Sequence, residues 1–308
     1  MKTIFHISKL PREFRGGIIT LGVFDGVHKG HQALFDKIVK RGKRLNAPAL
    51  VYTFNPHPVH LLAPTINLPL INTLPQRLAL LSKQGIDLTF VAPFTKRFSQ
   101  MSAVAFFENH LLKNFAPREL VVGYDFTFGS QRKGTFETLE KLGEKHGVPV
   151  TVVPPHFSGK CLISSTEIRR LVEQGSVERA NALLGRPFSL EGIVVKGRGY
   201  GRILGIHTAN LRTENELLPK TGVYTTLTTV KGKPYKSVTN IGPNPTFGGT
   251  ELSIETHLLR YHGNLVHRPI RVEFIRRLRD EKKFSGPETL KKQILKDIQT
   301  AEKQLKRS

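Results

Sequence analysis

Through the first half of this 308-residue chain, short apolar runs with no polar face alternate with amphipathic segments. Ile18-Ile19-Thr20-Leu21-Gly22-Val23-Phe24 is one such run, and Ala49-Leu50-Val51-Tyr52-Thr53-Phe54 is the next. Strands covered on both faces read this way, and they belong to parallel sheets. Leu88-Thr89-Phe90-Val91, Leu120-Val121-Val122-Gly123 and Val150-Thr151-Val152-Val153 continue the series. After the first run, Leu34, Ile38 and Val39 recur at helical spacing. Thr73-Leu74-Pro75 opens another helix, which carries Leu78 and Leu81 and closes at Gly85. Strands alternating with helices predict a doubly wound parallel α/β sheet, with ligands at the carboxyl ends of its strands.

The pattern changes after Gly185-Arg186-Pro187. From about residue 188 to 275, β-rich runs such as Gly222–Leu227 and Ile270–Phe274 are separated by glycine and proline turns. No helical periodicity interrupts them, which predicts a small antiparallel barrel. A last helix follows, with Ser285 as its cap, Pro287 in its first turn and Glu288 at capping-box spacing. Its apolar stripe is Leu290, Ile294, Ile298, Ala301 and Leu305. Two domains are expected, residues 1–186 and 187–308.

Composition narrows the partners. Against 24 Asp+Glu stand 47 Lys+Arg, a net charge of +23, so the chain attracts anions: nucleotides, nucleic acid or an anionic membrane. Basic residues are scattered among acidic ones except near Arg276-Arg277 and Lys282-Lys283, which argues against nucleic acid as the main partner. No apolar run approaches the roughly 20 residues that cross a bilayer. The apolar stretch before Lys9 and Arg12 is too short for a secretory signal. A single cysteine, Cys161, excludes an internal disulfide and a four-cysteine zinc site. The cytoplasm is the expected compartment; oligomeric state is not written in the sequence.

Chemistry concentrates in Gly22-Val23-Phe24-Asp25-Gly26-Val27-His28-Lys29-Gly30-His31. A buried strand ends there, glycines permit a tight turn, and a helix begins near Gly30. Amide groups and the positive dipole end of that helix suit a phosphate. His28 and His31, three apart on one side of the turn, are placed to bracket an anion. His57-Pro58-Val59-His60 repeats the spacing, but no Glu or Cys stands at zinc-enzyme spacing from either pair. His57 reads as a residue of a proline-flanked turn that borders the pocket. Ser164-Ser165-Thr166-Glu167-Ile168-Arg169 is a hydroxyl-rich helix start with capping-box spacing, and Arg169, one turn in, reaches a phosphate at that end. Gly123-Tyr124-Asp125-Phe126-Thr127-Phe128-Gly129 either lines a ring pocket or ends a packed strand.

In the second half, closely spaced glycines around Gly201 suit a loop over phosphates. In an extended segment Thr208 and Asn210 share one face and can share one Mg²⁺, or they are two polar residues on a solvated strand.

Together these stretches resemble the bacterial bifunctional riboflavin kinase/FAD synthetases over nearly the whole chain. The Phe-Asp-Gly-Val-His-x-Gly-His signature is complete at Phe24–His31, Thr-Phe-x-Pro-His-Pro at Thr53–Pro58, Gly-x-Asp-Phe-x-Phe-Gly at Gly123–Gly129 and Ser-Ser-Thr-x-Ile-Arg at Ser164–Arg169. The resemblance implies a Rossmann-like nucleotidyltransferase domain followed by a riboflavin kinase-like barrel. It implies ATP, riboflavin and FMN as substrates, with Mg²⁺. In the first domain, His28 and His31 would be catalytic, with ATP at Gly22, Phe24, Asp25, Gly30, Ser164, Ser165, Thr166 and Arg169. FMN would lie at Asn55, His57, Asp125 and Phe126. In the barrel, Glu255 would be the base, Gly201, Thr208, Asn210 and Asn240 would bind ATP, and Arg279 and Glu281 the flavin. One departure is His207, where the family usually has proline before Thr-Ala-Asn. It leaves open a monofunctional FAD synthetase with a weakened kinase. The third reading is a basic nucleic-acid-binding protein on a nucleotidyltransferase scaffold.

Overall fold

Runs that are apolar on both faces must be covered twice, and the chain meets this demand with a six-stranded, all-parallel sheet. The computed structural model describes residues 1–197, 206–243 and 252–305. The chain divides into two units, Met1–Ser165 and Thr166–Ser308. Strands β1 (Lys2–Ile4), β2 (Ile18–Leu21), β3 (Ala49–Asn55), β4 (Leu88–Pro93), β5 (Glu119–Gly123) and β6 (Val150–Val153) lie in the order β1-β4-β3-β2-β5-β6. Five of these are the strands expected from the sequence. The sixth, β1, is a three-residue edge strand, too short for any periodicity.

Alternate residues separate into two cores. Ile19, Leu21, Leu50, Tyr52, Leu88, Phe90, Leu120 and Val122 face one side, where Phe106, Phe107 and Phe115 cover them. Ile18, Ala49, Val51 and Val121 face the other, beneath helix α1 (Lys29–Leu45). Phe35 and Ile38 of α1 are fully buried there, each worth about 1.5–3 kcal/mol of apolar burial. Helix α2 (Pro58–Leu62) and α3 (Leu74–Leu81) follow β3, and α4 (Phe136–Lys145) precedes β6. Thr73 caps α3 through a reciprocal bond with Gln76, and Gly85 follows in the left-handed conformation, as the sequence required. Because β3 lies on one side of β2 and β5 on the other, the crevice beyond the end of β2 is the switch point where such sheets bind ligands.

The second unit begins with α5 (Ser165–Glu173, its first residue being the last of the first unit) and α6 (Val177–Leu184). Compactness thus divides the chain ahead of residue 186, and these two helices make the difference. The barrel is closed, with strands β7 (Phe188–Val195), β8 (Ala209–Thr213), β9 (Gly222–Val230), β10 (Lys233–Pro243), β11 (Leu252–Leu258) and β12 (Pro269–Arg279) in the order β7-β8-β11-β10-β9-β12. Asn181 of α6 pins two neighbouring strands, donating to the Phe274 carbonyl and accepting from the Phe188 amide, both at 2.7 Å. Inside the barrel, Thr226, Thr228, Ser237, Thr239 and Thr256 are fully buried and hydrogen-bond one another at 2.8–3.3 Å. Buried hydroxyls demand such partners.

Helix α7 (Pro287–Gln304) ends the described chain, and its cap corrects the sequence reading. Gly286, not Ser285, is the N-cap, and Thr289, not Glu288, closes the turn by bonding the Gly286 amide and carbonyl. A threonine three residues on reaches the cap backbone as well as a glutamate does. Arg279 at the end of β12 pairs with both carboxylate oxygens of Asp297 of α7, Nη2 donating to Oδ2 at 2.7 Å and Nε to Oδ1 at 3.2 Å. Both side chains are largely buried. Removing one partner of such a pair strands the other charge, so Asp297→Asn should lower stability by about 3 kcal/mol, read as a shifted midpoint in urea unfolding.

Candidate functional site

The residues between β2 and α1 take a path few sequences tolerate. Phe24 (φ 57°), Gly26 (φ 84°) and Val27 (φ 43°) all occupy the left-handed region. For the two non-glycine residues this costs on the order of 1–3 kcal/mol each. Gly22 permits the fold-back, since a Cβ there would meet the Phe24 ring at 2.8 Å. Phe24 itself is buried, packing edge-on against His31 (5.2 Å) and against Phe35 (5.0 Å).

His28 is the N-cap of α1, and its Nδ1 accepts the His31 amide at 3.3 Å. An imidazole nitrogen that accepts carries no proton, so in the neutral ring Nε2 is the donor. The His31 ring stacks on His28 with centroids 3.5 Å apart and an interplanar angle of 18°. This corrects one expectation. Rings in van der Waals contact leave no space between them for an anion, so the pair presents its edges and does not form a bracket. Gly30 keeps that arrangement open, because a Cβ there would come within 3.2 Å of the His28 ring.

Other expected phosphate contacts divide. Ser165 Oγ donates to the Asp25 carbonyl at 2.8 Å, so the start of α5 lies against this loop, with Ser164 just before it. Thr166 and Arg169, the latter 7 % exposed, stand on α5 in the second unit. The Asp25 carboxylate is buried and accepts the amides of Ile71 (3.1 Å) and Asn72 (3.2 Å). It shapes the loop from behind. Arg77 escaped the sequence reading. It is 5 % exposed beneath the loop, and its position one turn before the buried Leu81 on α3 was the signal.

Expected flavin contacts sit where β3 and β5 end. Asn55 is exposed at the end of β3, and its carbonyl accepts the Phe94 amide at 3.1 Å. His57 caps α2, Nδ1 accepting the Val59 amide at 3.1 Å, which is the turn role read from its prolines. Asp125 is exposed beside Gly123, and Phe126 stacks on Phe128 at 5.5 Å. A cavity of about 460 Å³ opens nearby, walled by Leu62, Phe94, Phe98, Met101 and Phe106 and by the turn 129–132. Scattered as these aromatics are along the chain, no local motif announces the cavity.

The barrel collects its residues in one row. Asn210 of β8 pairs with Glu255 of β11, which pairs with Asn240 of β10. Directly opposed residues share a face, and since neighbouring Thr256 points inward, this row points out. Glu281 joins it: a Cβ on Gly242 would lie 2.0 Å from Glu281 Oε1 and 3.3 Å from Asn240 Nδ2. Gly197 leaves similar room for the Asn210 amide, 2.0 Å from where a Cβ would be. Thr208 is exposed two residues before Asn210. The His207 carbonyl takes a 2.8 Å hydrogen bond from His257 Nδ1. Arg279, expected at the flavin, is held by Asp297 and packs over Phe284 at 5.8 Å. Gly201 lies outside the described residues.

A parallel sheet with paired histidines at its switch point, followed by a closed barrel with an outward row of one carboxylate between two carboxamides, is a nucleotidyltransferase-like unit joined to a kinase-like one. The sequence comparisons agree with that class. The FAD synthetase family matches residues 10–167 and the riboflavin kinase family residues 184–305. The bifunctional riboflavin kinase/FMN adenylyltransferase of Escherichia coli K12 is 35 % identical over 302 residues, covering 98 % of this chain and 96 % of that one. The Bacillus subtilis protein of the same name is 35 % identical over 311 residues, covering 98 % and 97 %. A Streptococcus pneumoniae crystal structure described as a macrolide-efflux protein superposes with a TM-score of 0.89 at 31 % identity, covering 97 % and 98 %. The chain belongs to the bifunctional riboflavin kinase/FMN adenylyltransferase family. Among the described residues no helix is long and apolar enough to cross a membrane.

The Gly197 contact gives a test of the barrel row. Gly197→Ala should push the Asn210 amide aside and lower riboflavin phosphorylation by about tenfold, while FMN adenylylation is unchanged, as measured by flavin chromatography.

Proposed function

We propose that this chain phosphorylates riboflavin to FMN with ATP in its barrel and adenylylates FMN to FAD in its sheet unit. Residues 1–186 carry the adenylyl transfer and 187–308 the kinase, and the enzyme works in the cytoplasm on small-molecule substrates. The observation that carries the reading is the stacked His28–His31 pair at the sheet's switch point, backed by the start of α1.

In adenylyl transfer, a phosphate oxygen of FMN attacks the α-phosphorus of ATP, and the bond from that phosphorus to the departing pyrophosphate breaks. The nucleophile is already an anion, so no base is needed. The site must align two anions and offset charge on the transferred group. His28 Nε2–H, the His31 edge and the amides opening α1 are donors suited to that task. The aromatic-walled cavity beside Phe126 and Phe128 suits the flavin ring.

In the barrel a ribityl hydroxyl attacks the γ-phosphorus of ATP and ADP departs. An alcohol gains from losing its proton as it attacks, and Glu255, between Asn210 and Asn240, is the acceptor. Thr208 and Asn210 carry the oxygen donors that would hold Mg²⁺. When bound, that ion supplies positive charge to the ATP phosphates. The His257 bond to the His207 carbonyl gives this segment a tether in place of the family's proline, which favours a working kinase over a weakened one.

Purified protein incubated with ATP and Mg²⁺ and either riboflavin or FMN, then resolved by chromatography, tests both halves. FMN from riboflavin and FAD from FMN are the expected products. FAD from FMN with no FMN from riboflavin would leave only the synthetase, and salt-sensitive nucleic-acid binding with neither product would replace the proposal. His28→Ala or His31→Ala should cut FAD formation by about 10²–10³-fold and spare the kinase. Glu255→Gln should cut riboflavin phosphorylation by about 10²-fold or more and spare FAD formation.

A further inference from the structure

Beneath the strained loop lies one charged side chain to which neither reaction assigns a role. Arg77 of α3 sends its guanidinium to two strand ends at once. Nη1 donates to the Val23 carbonyl at 2.7 Å and Nη2 to the Phe54 carbonyl at 2.8 Å. Nε is buried with no hydrogen-bond partner. Burial pushes the guanidinium below its ordinary range, and the Asp25 charge offsets part of that effect. Asp25 belongs to the loop and holds the amides of Ile71 and Asn72, just ahead of α3. Loop and helix therefore exchange charges: the loop's carboxylate reaches into the approach to α3, and the helix's cation reaches back.

Burying an ion is expensive, and an apolar side chain at this position would pack the same space. What an arginine adds is a planar fork that spans two carbonyls. The place of the fork matters. The Val23 carbonyl and the Phe24 amide form one rigid peptide plane, and Phe24 is where the chain turns into the left-handed region. Thr53 Oγ1 donates to the same Val23 carbonyl at 3.0 Å. Fixing that plane fixes the direction in which the chain leaves β2, four residues before His28.

We propose that Arg77 is a positioning residue for adenylyl transfer, holding the Val23 and Phe54 carbonyls so that the stacked edges of His28 and His31 meet the reacting phosphate. The inference rests on the adenylyl-transfer reading given above. It makes Arg77 act through geometry and not through charge alone, and the conservative variant separates the two, because a lysine keeps the charge but cannot fork between two carbonyls.

The experiment measures steady-state FAD formation from FMN and ATP by full-length wild type, Arg77→Lys, Thr53→Val, the double variant and His28→Ala, with riboflavin phosphorylation as the control for folding. Arg77→Lys should lose about 10²-fold in kcat, the penalty typical of misplacing a reacting group by an ångström, with KM for ATP within about threefold of wild type. Thr53→Val should lose about tenfold, and the double variant should lose less than the product of the two, since both act on one carbonyl. Wild-type kcat in Arg77→Lys, a loss confined to KM, or strictly multiplying effects would each overturn the proposal. Should Arg77→Lys fail to fold, an unchanged kcat in Thr53→Val overturns it alone. No FAD from wild type would instead remove the reading on which it rests. FAD from wild type, lost in His28→Ala but undiminished in Arg77→Lys, would sink the Arg77 role and leave that reading standing.

Discussion

The hydrogen bond from the His31 amide to His28 Nδ1 organises the first site. It caps α1, it sets which nitrogen of His28 carries a proton, and it draws the two imidazoles into a stack. A cap alone contributes about 1 kcal/mol, less than the strain in the two non-glycine residues of the turn before it. The turn therefore needs support from outside. Phe24 finds it against Phe35 and His31, Asp25 in the amides of residues 71 and 72, and Val23 in Thr53 and Arg77. A strained loop kept in place by buried partners is rigid, and rigidity is what a site needs when its work is alignment.

Two phosphorus chemistries call for two kinds of site, and the two units differ accordingly. Attack by a phosphate anion on ATP needs donors and positive potential but no base. The sheet unit presents ring edges and helix amides, and its one loop carboxylate faces away into the protein. Attack by an alcohol benefits from a proton acceptor, and the barrel sets a carboxylate between two carboxamides in a single cross-strand row. Small residues matter in both places. Gly22 and Gly30 make room for rings, and Gly197 and Gly242 for the ends of Asn210 and Glu281.

Much of this was legible in the sequence because it is local. Five strands of the sheet are continuous apolar runs, and the loop with the paired histidines is ten consecutive residues. What was not legible depends on distance along the chain or on the direction of a side chain. The cavity draws its wall from residues 62 to 132. The row in the barrel needs the register of three strands. Asp25 carries a charge whose sign is plain but whose direction is not, and Arg279 was expected at the flavin while it is bound to Asp297. Arg77 was legible in principle, since it falls on the apolar side of α3, but an arginine there is easily read as an exposed charge at the edge of the stripe.

The most direct test of the central claim is a crystal structure of the protein with an ATP analogue whose bridge between the α- and β-phosphorus is a methylene group. The account predicts the triphosphate against the stacked edges of His28 and His31, with a phosphate oxygen about 3 Å from His28 Nε2. A triphosphate bound elsewhere in the sheet unit, with both rings facing water, would contradict it.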